Sequence, residues 1–200
     1  VIPVYIKPKH EGQYDDSYVI LEQENPLIRT IRDESDEKER KVNLEFFPEG
    51  GDLIDGLPCN VAFKATGKDG LSLDGTIVVR ESKDSAYTVH DGMGSFMITP
   101  NGSETVHFIT KEGKSTRFTL PKPLKSGFSM VVGTLNDSLM EVNIHHTPDL
   151  EGQTVGLAVT CRGELVHFEE IQNISDTTLT LDCSGWPIGV CRMTLYDKKA

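Results

Sequence analysis

Apolar and polar residues alternate with a period of two along most of this chain, and this pattern constrains its fold more than any other feature. The alternation is clearest in Val42, Leu44 and Phe46, and it returns soon afterwards in Val61 and Phe63. Successive side chains of a β-strand point to opposite faces of a sheet, so the pattern indicates strands with one buried face. No segment keeps the 3.6-residue period of an amphipathic helix, and we therefore predict an all-β fold.

Turn signals divide the alternating segments into a regular series. Those in the first part of the chain are predicted to form strands at residues 42–47, 60–66, 74–80, 86–90, 94–99, 105–110, 115–120 and 127–132. Turn residues such as Gly50-Gly51, Asp69-Gly70 and Asp91-Gly92 separate them. Short strands at intervals of about eight to twelve residues are typical of an immunoglobulin-like β-sandwich. Gly94 is expected to mark a bulge or a close approach of two strands.

A second, shorter unit is predicted after the linker at residues 133–137. Its strands are expected at residues 139–144, 154–161, 164–171, 177–182 and 189–196. Five strands are fewer than the roughly seven of a complete sandwich, so this unit is expected to be incomplete at its C-terminus or to borrow a strand. The predicted organisation is a leading segment at 1–41, a sandwich at 42–133 and a partial second sandwich at 134–200.

The leading segment, residues 1–41, has a different composition from the rest. Alternation is brief, at residues 2–6, and residues 15–40 then hold nine acidic and four basic residues. The charge run at residues 33–40 is typical of a solvated linker. Two short apolar patches, Tyr18–Leu21 and Leu27–Ile31, are exceptions, and we expect at least one of them to pair with a sheet edge. Strand exchange or edge pairing through residues 1–41 is therefore a predicted partner contact.

Charge and hydropathy exclude several classes of partner. A net charge of -11 argues against nucleic-acid binding, which needs a basic surface, and against docking on anionic lipid. No run approaches the roughly 18 apolar residues of a membrane-spanning helix, so no membrane insertion by this fragment is expected. The first residues, Val1–Val4, contain neither Met nor an apolar leader, which favours a piece of a longer, processed chain.

The four cysteines are Cys59, Cys161, Cys183 and Cys191. None forms a C-x-x-C motif, and none has a histidine at the spacing of a zinc finger. The main interpretation is that they are buried thiols that pack as small hydrophobic residues. A disulfide among Cys161, Cys183 and Cys191 is the open alternative.

One short motif superficially resembles a hydrolase site. Gly92–Phe96 contains a serine and follows His90 and Asp91. A nucleophile elbow needs Gly-x-Ser-x-Gly between a strand and a helix, whereas here the glycine spacing differs and no helix follows. We interpret the motif as a β-turn.

Two sets of residues have the chemistry of metal ligands. His145 and His146 lie close to Asp149 and Glu151, but adjacent strand residues point to opposite faces and rarely reach one ion. The acidic turn Glu49–Asp55 offers three carboxylates for calcium without an EF-hand pattern, so a calcium site there is left open. No catalytic residue, cofactor or metal ligand is assigned from the sequence.

Aromatic residues give little support for a glycan platform. They make up 7% of the chain, and the single tryptophan, Trp186, is expected to pack in a core or between modules. The remaining surface candidates, Tyr14, Tyr18 and Tyr87, do not cluster in the sequence. Glu169 and Glu170 are expected to lie on opposite faces of one strand rather than to act as a pair of catalytic carboxylates.

Five short motifs stand out between Leu44 and Thr119, namely Phe46–Gly51, Gly56–Pro58, Val61–Ala65, Gly92–Phe96 and Thr99–Pro100. On these motifs, the block resembles the macroglobulin-like domain of large exported Bacteroidetes proteins. A second stretch, residues 186–197, is similar to the penultimate strand of the domain that follows in such proteins. The resemblance implies a string of β-sandwich modules in a periplasmic or cell-surface protein.

True α2-macroglobulins trap proteases through a bait region and a Cys-Gly-Glu-Gln thioester. Here Cys161 is followed by Arg162, Gly163 and Glu164, so covalent trapping is not expected. The sequence therefore favours a non-catalytic structural or interaction fragment of a larger cell-envelope protein, acting as a spacer or protein-binding scaffold. The alternative is a binding module for a glycan, or a protease-inhibitor-like module without a thioester.

Overall fold

The computed structural model describes residues 2–6, 42–80, 84–172 and 174–197. These ranges contain fourteen strands, one short 3-10 helix at Pro148–Leu150 and no α-helix, so the predicted all-β class is confirmed. The apolar patches at 18–21 and 27–31 and the charge run at 33–40 lie outside the described residues. The strands are β1 (Ile2–Ile6), β2 (Asn43–Pro48), β3 (Cys59–Thr66), β4 (Gly75–Val79), β5 (Ser85–Tyr87), β6 (Met93–Ile98), β7 (Thr105–Thr110), β8 (Ser115–Thr119), β9 (Phe128–Thr134), β10 (Leu139–His146), β11 (Val155–Cys161), β12 (Glu164–Ile171), β13 (Thr177–Asp182) and β14 (Gly189–Tyr196).

Each strand predicted from residue 42 onwards has a counterpart among β2–β14. The clearest difference is β5, which ends at Tyr87 instead of residue 90. His90 to Met93 closes a tight turn, in which the Met93 N–H donates to the His90 carbonyl at 2.8 Å. Asp91 and Gly92 have φ values of 49° and 69°, as a two-residue hairpin turn requires.

Strands β2–β8 form a β-sandwich, which we call the first module. Its sheets have the orders β2-β3-β6 and β5-β4-β7-β8, and every pairing is antiparallel. The inward residues of both sheets form one core, because alternation places one side of each strand between the sheets. The least exposed of these residues are Val61, Phe63, Ala65, Ile77, Val79, Val106 and Phe108.

Gly94 lies at a close approach of two strands, as the sequence predicted. A Cβ atom on Gly94 would lie 2.5 Å from the Tyr87 carbonyl oxygen and 2.6 Å from the Phe63 ring. Only glycine lets the Tyr87 carbonyl and the Phe63 ring come this close to the backbone of β6.

Strands β1 and β9–β14 form the second module, with sheet orders β1-β14-β11-β12 and β13-β10-β9. Its core is separate from that of the first module and again collects the inward residues of both sheets. The least exposed members are Val142, Ile144, Val155, Leu157, Val159, Ile174 and Met193.

The second module takes its seventh strand from the N-terminal end of the described chain. Ile2–Ile6 pairs antiparallel with β14, from Met193 to Gly189. A borrowed strand, one of the two expectations for the short second unit, is therefore present. Pro3 suits this position, because proline lacks an N–H and is tolerated at the edge of a sheet.

Strand β9, Phe128–Thr134, lies in the second module, although the alternation pattern placed residues 127–132 at the end of the first. It pairs with β10 over seven residues and contributes Met130 to the second core. The sheet boundary therefore lies before Phe128 instead of at residue 133. Sequence spacing could not predict this assignment, because the alternation within one strand does not show which strand it pairs with.

The loop Leu53–Pro58 of the first module joins the segment Leu124–Ser129, and we call this region the junction. The Leu124 N–H donates to the Leu53 carbonyl, and the Asp55 N–H donates to the Leu124 carbonyl, both at 2.8 Å. Ile54 and Leu124 thus form an isolated parallel bridge. The connecting segment is fixed by backbone hydrogen bonds instead of running free between the modules.

Side chains close the junction from the second module. The Ser129 hydroxyl on β9 donates to the Pro58 carbonyl, and Ser129 is buried. Ile54 is 5% exposed, and a Cβ atom on Gly127 would lie 2.6 Å from the Ile54 Cδ1 atom. The Gly127 N–H donates to the Thr147 hydroxyl, and the Thr147 N–H donates to the Gly127 carbonyl, both at 3.1 Å. The modules therefore meet through packed and hydrogen-bonded groups.

Candidate functional site

A shallow groove lies on the outward face of the β1-β14-β11-β12 sheet, and we call it the Gly156 groove. Val155 and Leu157 point into the core, so Gly156 between them faces outward. The groove holds about 480 Å³. It is lined by Thr154, Val155, Gly156, Phe168, Glu170, Gln172, Tyr196 and Asp197.

Strand register explains the hollow at its centre. Gly156 is paired with Tyr196 on one side and with Glu170 on the other, so the three residues form one row across the sheet. A row with no side chain in the middle leaves an opening between its outer members. The Phe168 ring leans towards this opening, because a Cβ atom on Gly156 would lie 3.3 Å from the Phe168 Cε2 atom.

Both aromatic rings of the groove are accessible. Phe168 is 60% exposed and Tyr196 is 45% exposed, although each belongs to a paired strand. Phe168 pairs with Ala158, a second small residue on the outward side of β11. Gly156 on β11 therefore forms a low floor, with the rings of Phe168 and Tyr196 on the two neighbouring strands.

The polar rim supplies hydrogen-bonding groups. The Gln172 amide donates to the Glu170 carboxylate at 3.2 Å, which orients both side chains beside the groove. Thr154 and Asp197 complete the rim, and the groove has no lysine or arginine among its described lining residues. Apolar rings combined with a few oriented polar groups are typical of ligand-binding surfaces.

The serine motif at Gly92–Phe96 is a hairpin turn that leads into β6, as interpreted from the sequence. Ser95 lies within β6 opposite Ala62, and it is exposed. His90 Nε2 lies 3.3 Å from the Asp91 carboxylate, and both side chains are largely exposed. The serine therefore sits inside a paired strand, and not on a sharp turn between a strand and a helix.

The two histidines at the end of β10 have separate partners. His145 Nδ1 lies 3.4 Å from the Asp176 carboxylate, whereas His146 Nδ1 lies 2.9 Å from the Thr147 carbonyl oxygen. Asp149 accepts a hydrogen bond from the Ser126 hydroxyl, which lowers the pKa of that carboxyl. These contacts direct the polar groups to different neighbours, in agreement with the interpretation as strand-end residues.

Two carboxylates of the acidic turn Glu49–Asp55 accept hydrogen bonds within the first module. Glu49 accepts from the Asn60 side-chain amide at 2.8 Å, and Asp55 accepts from the Gly102 N–H at 2.8 Å. Across the described ranges, no group of three or more His, Cys, Asp or Glu side chains is arranged to hold a metal ion. The turn leads directly into the junction, so its observed contacts are structural.

Two further expectations from the strand pattern are met in β12 and after β13. Glu170 faces the groove, whereas Glu169 pairs with core-facing Leu157 and lies 3.5 Å from His167 Nε2. Trp186 packs against the second core, and its ring centroid is 6.5 Å from that of His167. Tyr87 is 69% exposed on β5 of the first module, and Tyr14 and Tyr18 lie outside the described residues.

Sequence reasoning missed Phe168 and Tyr196. Both occupy outward positions of their strands and are exposed. What brings them together is the pairing of β11 with both β12 and β14 around Gly156. A glycine inside a predicted strand was the one local signal, because such a glycine often marks a close approach of another chain or ligand.

The sequence matches no protein-family model and no curated protein. In the described part of the chain, no helix is long and apolar enough to cross a membrane.

Proposed function

We propose that this chain is a non-catalytic scaffold fragment of a larger exported cell-envelope protein, acting as a spacer that presents surfaces to protein partners. The observation that carries this proposal is the junction. A spacer must hold its ends at a fixed separation, and a linker bonded to both modules does so better than a flexible one.

The junction restrains the connection in several independent ways. The backbone bridge between Ile54 and Leu124 fixes the linker on the first module. The Gly127–Thr147 hydrogen bonds fix it on the second, and the Ser129 hydroxyl joins β9 directly to the Pro58 carbonyl of the first. Bending the modules apart would break these bonds together and expose the buried Ile54 side chain. The arrangement therefore favours a rigid pair of modules.

The proposed location rests on the resemblance to macroglobulin-like domains of Bacteroidetes proteins. In that setting the chain would lie in the periplasm or at the cell surface, with other sandwich modules of the same parent as neighbours. The net charge of -11 suits a soluble surface that repels anionic lipid headgroups.

Hydrolytic assays test the non-catalytic part of the proposal. We expect no turnover of ester, peptide or glycan substrates above that of a buffer blank. Turnover that disappears in Ser95→Ala or in His145→Ala would contradict the proposal, since these two residues come nearest to catalytic chemistry in the sequence. The two variants also separate true activity from that of a contaminant, which neither substitution would change.

The second candidate function is glycan binding at the Gly156 groove. The observation that favours it is the pair of exposed rings, Phe168 and Tyr196, on either side of a glycine floor. Flat apolar rings match the apolar face of a sugar, and the Glu170–Gln172 pair offers both an acceptor and a donor for hydroxyl groups.

A glycan array followed by titration calorimetry tests this second candidate. We expect a dissociation constant of roughly 0.1–1 mM for the best neutral glycan, and a loss of about tenfold in Tyr196→Ala or Phe168→Ala. Tyr87→Ala is the matched control, because Tyr87 is an exposed tyrosine of the other module and should leave the affinity unchanged. Equal losses in all three variants, or no binding to any glycan, would remove glycan binding as a function of this groove.

A further inference from the structure

Three of the four cysteines meet inside the core of the second module. Cys161 on β11 and Cys191 on β14 are both 0% exposed, and Cys183, just after β13, is 5% exposed. All four cysteines, including Cys59 in the first core, are thiols in the structure. The three thiols of the second module raise the question of which pair could be oxidised to a disulfide.

Cys161 and Cys191 face each other directly. They are a register pair of the antiparallel strands β11 and β14. Residues directly opposite in an antiparallel pair have Cα atoms about 4.5–5.5 Å apart, and disulfides span Cα separations of about 4.4–6.8 Å. Both side chains point to the core, since both residues are fully buried. The Cys161 thiol donates to the Pro187 carbonyl at 3.4 Å, and it lies close enough to Cys191 to contribute, with burial, to the raised pKa of that thiol.

Cys183 is held on the opposite sheet. Its N–H donates to the Ser138 carbonyl at 2.8 Å, and its carbonyl accepts from the Trp186 N–H at 3.1 Å. Facing sheets of a sandwich lie about 10 Å apart, whereas a disulfide cannot join Cα atoms more than about 7 Å apart without backbone movement. Cys183 therefore contributes a neighbouring thiol to Cys191 without the strand register that a bridge needs.

We propose that Cys161 and Cys191 form a disulfide when the chain folds in an oxidising compartment, while Cys59 and Cys183 stay thiols. The oxidant is a disulfide of a small thiol or of an oxidoreductase. One cysteine, as the thiolate, attacks this disulfide, forms a mixed disulfide and releases the first thiol of the oxidant. The second cysteine, also as the thiolate, then attacks the protein sulfur of the mixed disulfide and releases the second thiol of the oxidant. The protein loses two protons and two electrons, and the oxidant gains them.

The bond has to form before the sandwich closes. Burial and the contact with Cys161 raise the pKa of Cys191 to about 12, so the reactive thiolate is scarce in the folded protein. Burial also hides both sulfurs from an oxidant. Protein that folds reduced should therefore keep its thiols for hours, whereas protein that folds with the oxidant present should acquire the bond.

Refolding in glutathione redox buffer, followed by alkylation with N-ethylmaleimide in denaturant, tests the proposal on the wild-type chain. We expect two maleimide adducts per chain instead of four, and tandem mass spectrometry should place them on Cys59 and Cys183. A non-reduced tryptic digest should contain residues 126–162 linked to residues 163–192. We also expect the oxidised protein to melt on the order of 5–10 °C above the reduced one.

Single substitutions distinguish the predicted pair from its rivals. Cys183→Ala and Cys59→Ala should keep the link between the two peptides, and Cys191→Ala should abolish it. Four adducts on wild-type protein refolded with the oxidant, or a link that depends on Cys183, would overturn the proposal. Since the adduct count is measured on wild-type protein, a variant that fails to fold does not prevent a decision.

Discussion

Replacing Phe63 with alanine should lower the free energy of unfolding of the first module by about 3–5 kcal/mol. Phe63 is 1% exposed, its ring centroid lies 6.2 Å from that of Phe96, and it fills the space that Gly94 leaves open. The neighbouring strands are fixed by their pairings and cannot collapse into the cavity. Urea unfolding followed by circular dichroism measures the loss. Fluorescence of Trp186, which packs in the second module, shows whether the other core unfolds in the same transition.

Phe47→Ala is the matched control for this prediction. Phe47 lies on β2, in the same sheet as Phe63, but it points outward and is 52% exposed. Its removal should change the free energy of unfolding by less than about 1 kcal/mol. Similar losses in both variants would mean that β2 and β3 do not present the faces described here.

Replacing Ile54 with alanine should uncouple the two modules. Ile54 is 5% exposed at the junction, belongs to neither core cluster, and lies against Gly127 of the segment that connects the modules. We expect a loss of about 2–4 kcal/mol, and one calorimetric transition in the wild type that splits into two in the variant. The split follows because each module keeps its own core while the shared contact is lost.

Leu71→Ala provides the comparison for Ile54→Ala. Leu71 is an apolar residue of a first-module loop that is 44% exposed and takes no part in the junction. Its removal should leave one transition at nearly the same temperature. Two transitions in the wild type itself would show that the junction does not couple the modules.

Local pattern was sufficient to predict the strands and their inward faces. The alternation of Val61, Phe63 and Ala65 gave the buried face of β3, and the turn at Asp91-Gly92 gave the hairpin before β6. These features depend on residues close together in the chain. They could be predicted because side-chain direction alternates with every residue of a strand.

Strand pairing between distant segments could not be predicted in the same way. The residues of Phe128–Thr134 fit equally well as the last strand of the first module and as a strand of the second module. Likewise, Ile2–Ile6 pairs with β14, although the whole first module lies between them in the sequence. A pattern of period two states which face is buried, but it does not state which strand lies alongside.

The same limit hid the Gly156 groove. Its rings come from β12 and β14, and its floor comes from β11, so its existence depends on two strand registers. The acidic turn Glu49–Asp55 is easier to recognise in the sequence, because its glycines and carboxylates lie close together in the chain. In the structure, its end supplies Leu53 and Ile54 to the junction, a role that depends on a linker some seventy residues away.

Residual dipolar couplings of backbone amides test most directly whether the two modules form one rigid body. In a weakly aligning medium, couplings from β2–β8 and from β9–β14 should fit a single alignment tensor when they are calculated from the structure. Ile54→Ala should require two tensors, because its modules reorient independently. If the wild-type couplings also need two tensors of different magnitude, the modules are not held together and the proposed spacer function has lost its structural basis.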